Sequence, residues 1–337
     1  MRARTHRYTG IKLQLLELPP SLAALRGRTV YAIAATLRPE TMCGQTNCWA
    51  LPSGTYGAFE QKPGGDVFVC SHRAARNMAF QDAFAAFGKC EVLVERVPGS
   101  ELIGLPLRAP LCSYEVIYML PLLSIKMGKG TGIVTSVPSD SPDDYAAFTE
   151  LKKPKKQEFY GIKPEWIEPY EPVAIIEIAG IGTCAAEAMC TKLGVQGPGD
   201  VERLAEAHDV VYTQGFYKGV MVRGEFAGRT VQEAKPLCKA LMVAQGSALT
   251  YLEPDKEVIS RSDDECVVAL VDQWCARRTR PHHGCPARTM PCPHHALSAP
   301  CPARTMPCPH HALPAPDCPA APAGARRTPC SAPRPAR

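Results

Sequence analysis

The sequence predicts an α/β domain built around one mixed sheet, of α+β character if that sheet closes on itself, followed by a tail that builds no core. Three observations lead there. Short β-favouring runs bounded by Pro, Gly and Asp dominate the first half. Helical patterns opened by hydroxyl caps dominate the second. Composition then breaks near residue 276: residues 276–337 hold 15 of the 33 prolines, 6 of the 16 cysteines, and nine arginines against one acid, Asp317.

That break decides what the charge means. The tail carries +8, so residues 1–275 carry −3 within the chain's net +5. The basic balance belongs to the tail and is no sign of RNA binding by the folded part. No apolar run approaches the ~18–20 residues of a membrane span. The longest, 116–125 (VIYMLPLLSI), is interrupted by Pro121 and reads as strand and turn. The basic opening residues are not followed by an apolar signal core; the cytosol is the default, with a short organelle presequence as the alternative. The ten cysteines of 1–275 are scattered without a CxxC pair and sit beside apolar residues, as buried free thiols do in a reducing compartment.

In chain order, 11–18 and 29–37 read as strands separated by a Pro-Pro break. Strands at 56–61 and 67–70 flank KPGGD, a hairpin signature. Ser71 caps a helix expected to reach about Phe87, and strands follow at 91–97 and 114–120. A Gly-rich corner, 128–132, leads into a strand at 133–137. Ser141, Pro142, Asp143 and Asp144 mark a helix start: a capping hydroxyl, Pro at the first helical position, then acids at the positive helix end. A strand at 171–178 precedes helices at 184–193, 199–209 and 230–245; Pro236 predicts a kink or a late start in the last. Strand-like 248–252 and 257–271 close the body. This divides the chain into a domain at 1–255, the start of a return hairpin at 256–275, and a tail at 276–337. In the tail, 285–300 recurs at 301–316 with Pro314 in place of Ser298, a Pro-rich 16-residue repeat expected to be disordered.

Three segments carry the chemical signal. In 34–47 (AATLRPETMCGQTN), a strand ends at Thr36 and Pro39 starts a turn expected to present the Thr36, Thr41 and Thr46 hydroxyls along one edge. In 130–144 (GTGIVTSVPSDSPDD), a strand delivers acids to a helix start. The third, 260–274 (SRSDDECVVALVDQW), reads as a hairpin strand. From residue types alone the first two define a threonine-lined pocket facing a carboxylate, suited to a small ligand with an ammonium group and an ester. The same residues equally describe local side-chain-to-backbone turns and a helix cap.

TLRPETMCGQTN resembles the threonine-rich motif of the editing domains of leucyl-, valyl- and isoleucyl-tRNA synthetases. GTGIVTSVPSDSPDD resembles the second editing motif in its eukaryotic and archaeal leucyl form; the valyl form has an AHDPND-like run at 139–144, and the isoleucyl form has Trp at the position of Glu40. SRSDDECVVALVDQW resembles the stretch where the leucyl enzyme returns to its catalytic domain. The resemblance runs from about Tyr8 to Trp274. It implies a class I synthetase editing domain with a mixed, partly closed sheet and flanking helices. It also implies hydrolytic proofreading of misacylated tRNA(Leu), because a hydrophobic pocket separates side chains differing by one methylene by only roughly 10–200-fold.

By that resemblance Thr36, Thr41 and Asp144 are the catalytic set, and Thr41, Val137, Asp144, Arg38 and Thr46 bind substrate. Asp144 matches the acid that holds the α-ammonium, Thr41 the gate against the leucyl group, Thr36 the hydroxyl near the scissile ester and ribose, and Val137 a pocket wall. The implied partners are the tRNA(Leu) acceptor end, misactivated amino acids and the other synthetases of a multi-enzyme assembly. Editing needs no cofactor; ATP and Mg serve the parent ligation. The chain departs from its relatives at Cys43, where a larger apolar residue is usual, at Gly64 and Gly65, which loosen the hairpin turn, and at Pro236. No HIGH motif is present, and KMGKG at 126–130 reads as a turn and not as an ATP-binding loop, so adenylate formation by this chain is not expected. The tail's PCPHH runs lack structural zinc spacing.

Overall fold

The structure, a computed structural model, describes residues 4–275 and 290–292. Its strands are β1 (Thr5–Leu15), β2 (Val30–Thr36), β3 (Asn47–Ala50), β4 (Thr55–Glu60), β5 (Val67–Cys70), β6 (Glu91–Pro98), β7 (Pro106–Arg108), β8 (Ile117–Pro121), β9 (Ile133–Ser136), β10 (Ile176–Glu177), β11 (Val220–Met221), β12 (Ala248–Pro254), β13 (Gln273–Cys275) and β14 (Met290–Cys292). The helices are α1 (His72–Ala79), α2 (Gly99–Leu102), α3 (Pro142–Leu151), α4 (Pro154–Tyr160), α5 (Ala185–Leu193), α6 (Val201–Lys218) and α7 (Val231–Ala244). The chain divides into two compact units, Met1–Val271 and Asp272–Arg337. In the second, β13 and β14 pair antiparallel, Gln273 opposite Cys292. The repeat and its expected disorder lie outside the described residues apart from the short β14.

The first unit is a mixed α/β domain. Nine strands follow the order β6-β4-β5-β2-β1-β7-β8-β3-β9, and β12 joins β1 beside that path. Most pairs are antiparallel; β2–β5 and β3–β8 are parallel. Eleven residues of β1 make this possible, because β12 occupies Thr5 to Ile11 on one edge and β7 takes over at Gln14. The sheet also bends back on itself. Thr131, just before β9, accepts a hydrogen bond from Ser71 N at 2.9 Å through its carbonyl and from Ala35 N at 3.2 Å through its hydroxyl. Gly130 (φ 62) and Gly132 (φ 77) on either side adopt backbone angles that only glycine enters without cost, which is what the Gly-rich corner supplies.

The main core lies between the sheet and the helices of the second half and includes Ile11, Leu13, Trp49, Ile133, Phe148, Ile175 and Val211. A smaller core on the other face joins Phe59, Phe68 and Tyr251 to α1. The buried carboxylate of Glu253 on β12 locks these parts together. It accepts from Gly130 N at 3.0 Å, from Tyr251 Oη at 3.1 Å and from Arg73 Nη1 of α1 at 2.9 Å.

Several elements differ from the sequence-based expectation. Helix α1 stops at Ala79, not Phe87, because Gln81 leaves the helix to bond Leu252 N and O. Helix α6 runs nine residues further, to Lys218, passing through Gly215 at about 1 kcal/mol; burial of Leu204, Ala207 and Val211 offsets this. Helix α7 starts on time, with a full Thr230–Glu233 capping box, so Pro236 causes no late start. Of 171–178 only Ile176–Glu177 is strand, paired with β11. Residues 257–271 form no strand; Ser260 turns the chain by accepting from Asp264 N, with Asp263 left-handed (φ 61). Strands β3 and β7 escaped the sequence reading because four- and three-residue runs carry no periodicity.

Candidate functional site

The site grows from the end of β2. Thr36 ends the strand half-buried, and its hydroxyl accepts from Arg38 N at 3.1 Å, turning the chain after one residue. Pro39 then opens a 3-10 turn over Pro39–Gly44. At its base the Arg38 carbonyl accepts both from Thr41 N, at 3.1 Å, and from Thr41 Oγ1, at 2.9 Å. Thr41 is 3% exposed, so its hydroxyl is spent on the turn and its methyl is what it offers to a neighbour. Thr46 stands apart from the expected row of hydroxyls. Its N–H pairs with Ser136 O at 3.1 Å, which turns the side chain inward, where Oγ1 donates to Asn47 Oδ1 at 2.9 Å. Cys43 is packing: burial pushes its thiol up to about 12.

The second half of the site is the start of α3. Ser141 caps it by accepting from Asp144 N at 3.3 Å. The half-buried Asp144 carboxylate reaches back over the cap, accepting from Val137 N at 3.0 Å and from the Trp49 indole N–H at 2.8 Å. Burial pushes its pKa up to about 6, against those hydrogen bonds. Asp140 is 1% exposed, and burial raises it likewise to about 6 against the pull of Arg38.

Arg38 joins the two halves. Its Nη1 donates to Asp140 O at 3.0 Å and its Nε to Glu40 Oε1 at 3.3 Å. Its guanidinium carbon lies 4.7 Å from the ring centroid of Tyr212 on α6. Burial works against the charge, but Glu40 and Asp140 more than offset it. The structure turns Arg38 into the domain, where it holds the turn and leaves Nη2 without a partner in the protein. Arg38 Nη2, Glu40 Oε2 and Asp140 Oδ1 in this group, and Gln45 Oε1, Asn47 Nδ2 and Ser136 Oγ along the paired β3 and β9, are buried with no hydrogen-bond partner in the protein. Buried polar atoms are nearly always paired, so this concentration marks a place with capacity for a polar ligand. A separate cavity of about 430 Å³ lies between α5 and α6, against Ala179, Met189, Lys192, Leu193 and Glu206, and contains none of these residues.

Thr36, Arg38, Thr41, Thr46, Val137 and Asp144 thus sit in one hydrogen-bonded region drawn from β2, the 3-10 turn, β3, β9 and α3. Sequence reasoning missed Trp49, Asp140 and Tyr212 as parts of it. Asp140 stood inside the second motif and Trp49 just past the first; Tyr212 gave no signal, because only packing of α6 brings it to Arg38.

No family model matches the chain. The crystal structure of GlLeuRS-CP1 superposes with a TM-score of 0.67 at 40% identity, covering 73% of this chain and 99% of that one. The chain belongs to the leucyl-tRNA synthetase family, in its CP1 segment. The P. knowlesi cytosolic leucyl-tRNA synthetase editing domain has the same fold, with a TM-score of 0.67 at 21% identity over 75% of this chain. Cytoplasmic leucine–tRNA ligases of Arabidopsis thaliana and Pongo abelii are 51% and 49% identical over 269 residues, 79% of this chain. The chain spans about a quarter of the length of these curated synthetases, 24% and 23%.

Proposed function

We propose that this CP1 chain hydrolyses the ester of wrongly charged tRNA(Leu), the post-transfer proofreading of a cytosolic leucyl-tRNA synthetase. The observation that carries it is the joining of the threonine turn to the α3 cap through Arg38 Nη1 and Asp140 O, 3.0 Å apart. That contact supports a site shared by the half-buried carboxylate of Asp144 at the start of α3 and the strand-end hydroxyl of Thr36. The roles follow from chemistry. Asp144 holds the α-ammonium of the aminoacyl group, a charge-assisted contact stronger than a neutral one. The Thr41 methyl and Val137 shape the acyl pocket, and Thr36 lies by the ester and the terminal ribose. Water oxygen bonds to the ester carbonyl carbon, the bond to the ribose oxygen breaks, and that oxygen takes the proton. Placement and electrostatic support suffice for an activated ester. Arg38 and Thr46, which the family resemblance names as substrate contacts, also hold the frame of the site: Arg38 joins the turn to the α3 start, and Thr46 ties the entry of β3 to Ser136.

The partner is the acceptor end of tRNA(Leu) carrying a misactivated amino acid, with other synthetases of a multi-enzyme assembly as further partners. The curated relatives above are named cytoplasmic, and we assign the work to that compartment. The hydrolysis takes no cofactor; ATP and Mg serve the parent ligation. The test is deacylation of Ile-tRNA(Leu) and norvalyl-tRNA(Leu) by the full chain. Loss of the ester well above the uncatalysed rate is expected. A chain that binds the tRNA but leaves the ester at the blank rate would instead be a silent interaction module, a reading its −3 body charge makes room for.

A further inference from the structure

The turn that carries the gate and the helix start that carries the anchor come from segments about a hundred residues apart, and Arg38, which joins them, lies over one aromatic ring from a third. Tyr212 lies on α6, whose neighbouring residues Val211 and Ala207 are fully buried in the main core, so the helix is fixed to the domain. Its ring lies under the Arg38 guanidinium at 4.7 Å. Arg38 Nη1 also donates to the carbonyl of Asp140, the residue before Ser141, which caps α3 and so orients Asp144. The same helix presents Gly215 to Arg38: a Cβ there would stand 3.8 Å from Nη2. Arg38 in turn carries the carbonyl that takes both the N–H and the hydroxyl of Thr41. One ring face therefore backs the guanidinium whose residue supports the gate and which reaches across to the start of α3.

We propose that Tyr212 is a positioning residue of the editing site, setting the Thr41 turn and the start of α3 relative to one another through the ring face it presents to Arg38. This rests on the hydrolytic reading above. A planar guanidinium over a ring face is held in one orientation by the attraction of the ring's electron-rich face, which an aliphatic side chain of similar size lacks. Without the ring, Arg38 keeps Glu40 and the Asp140 carbonyl but gains freedom to tilt, and the carbonyl holding Thr41 moves with it. The gate then discriminates less between leucyl and isoleucyl esters, while the core face of α6 stays packed.

The experiment compares the full chain with Tyr212→Leu, Tyr212→Met and Tyr212→Phe on Ile-tRNA(Leu) and Leu-tRNA(Leu), at protein concentrations corrected for folded fraction. Phe keeps the ring face and should stay within about threefold of wild type in the ratio of the two rates. Leu and Met should lower that ratio by roughly three- to thirtyfold, the range spanned by a cation–π contact from partly to fully desolvated. A helix position that served packing alone would move the melting midpoint and leave the ratio unchanged. An unchanged ratio in Leu and Met overturns the positioning role while leaving the hydrolysis intact. So does a ratio lowered equally by Phe, Leu and Met, since the ring face would then be irrelevant. If Leu and Met both unfold while Phe does not, Tyr212 is a packing residue and the inference is overturned. If the wild type shows no Ile-tRNA hydrolysis, the proposed function itself falls, and this inference with it.

Discussion

Replacing Asp144 with Ala tests structure and function at once, because the carboxylate does two things. It accepts from Val137 N at 3.0 Å and from Trp49 Nε1 at 2.8 Å. Trp49 is 0% exposed and Val137 4%, so neither donor regains water when the acceptor is removed. Leaving a buried donor unsatisfied costs about 1–3 kcal/mol each. Against this stands relief of the desolvation that pushes Asp144 up to about 6. With that relief subtracted from about 2–6 kcal/mol for two donors, the balance is a loss of roughly 1–3 kcal/mol, against an ordinary 5–15 kcal/mol stability. At about 2–4 °C per kcal/mol for a large domain, the midpoint should fall by roughly 3–12 °C. Asp144→Asn keeps one acceptor oxygen and should lose about half as much. Both variants lose the charge that meets the α-ammonium, so at matched folded fraction deacylation of Ile-tRNA(Leu) should drop at least about tenfold, the equivalent of a charge-assisted hydrogen bond. Thermal melts and deacylation rates of the two variants form the assay. An Ala variant melting within two or so degrees of wild type would refute the hydrogen-bond assignment, and an Asn variant with full activity would refute the anchor.

Thr41→Ala removes one hydrogen bond, at about 1 kcal/mol, and opens the pocket edge; Leu-tRNA(Leu) should become a substrate while Ile-tRNA(Leu) stays one, and continued protection of the leucyl ester would show that Thr41 is no gate. Because Asp144 and Asp140 are each pushed up to about 6, kcat/KM for deacylation should fall as pH drops through about 6, where protonation removes the negative charge; a flat profile from pH 5 to 8 contradicts it. The same raised values have the opposite effect on stability. The folded state binds these protons more tightly than the unfolded, so this contribution weakens as pH rises between the ordinary carboxylate value of 3.8 and about 6, and urea midpoints over that window check the sign. Arg73→Met leaves Glu253 buried without its cation and should cost about 2–4 kcal/mol, read as a lowered urea midpoint; an unchanged midpoint would mean that Gly130 N and Tyr251 Oη satisfy Glu253 alone.

What the sequence determined by itself was local. The Ser141–Pro142 helix start, the Thr230–Glu233 capping box, the KPGGD hairpin and the glycines around Thr131 are each set by residues within a few positions, so cap and turn chemistry located them. The two motifs, Thr36 to Thr46 and Val137 to Asp144, were legible because their residue types sit in an order that matches a known family. Tertiary structure decided how they are used. Gln81 ends α1 early because its partners, Leu252 N and O, lie 171 residues away. β1 gives its edge to β12 and then to β7, a sharing that no period along the chain records. Thr46 turns inward because β9 pairs with its backbone. Arg38 turns inward because Glu40, the Asp140 carbonyl and the Tyr212 ring surround it from three segments. Hydrogen bonds and ring contacts depend on distance in space, while sequence patterns report distance along the chain, and Trp49, Asp140 and Tyr212 meet the motifs only in space.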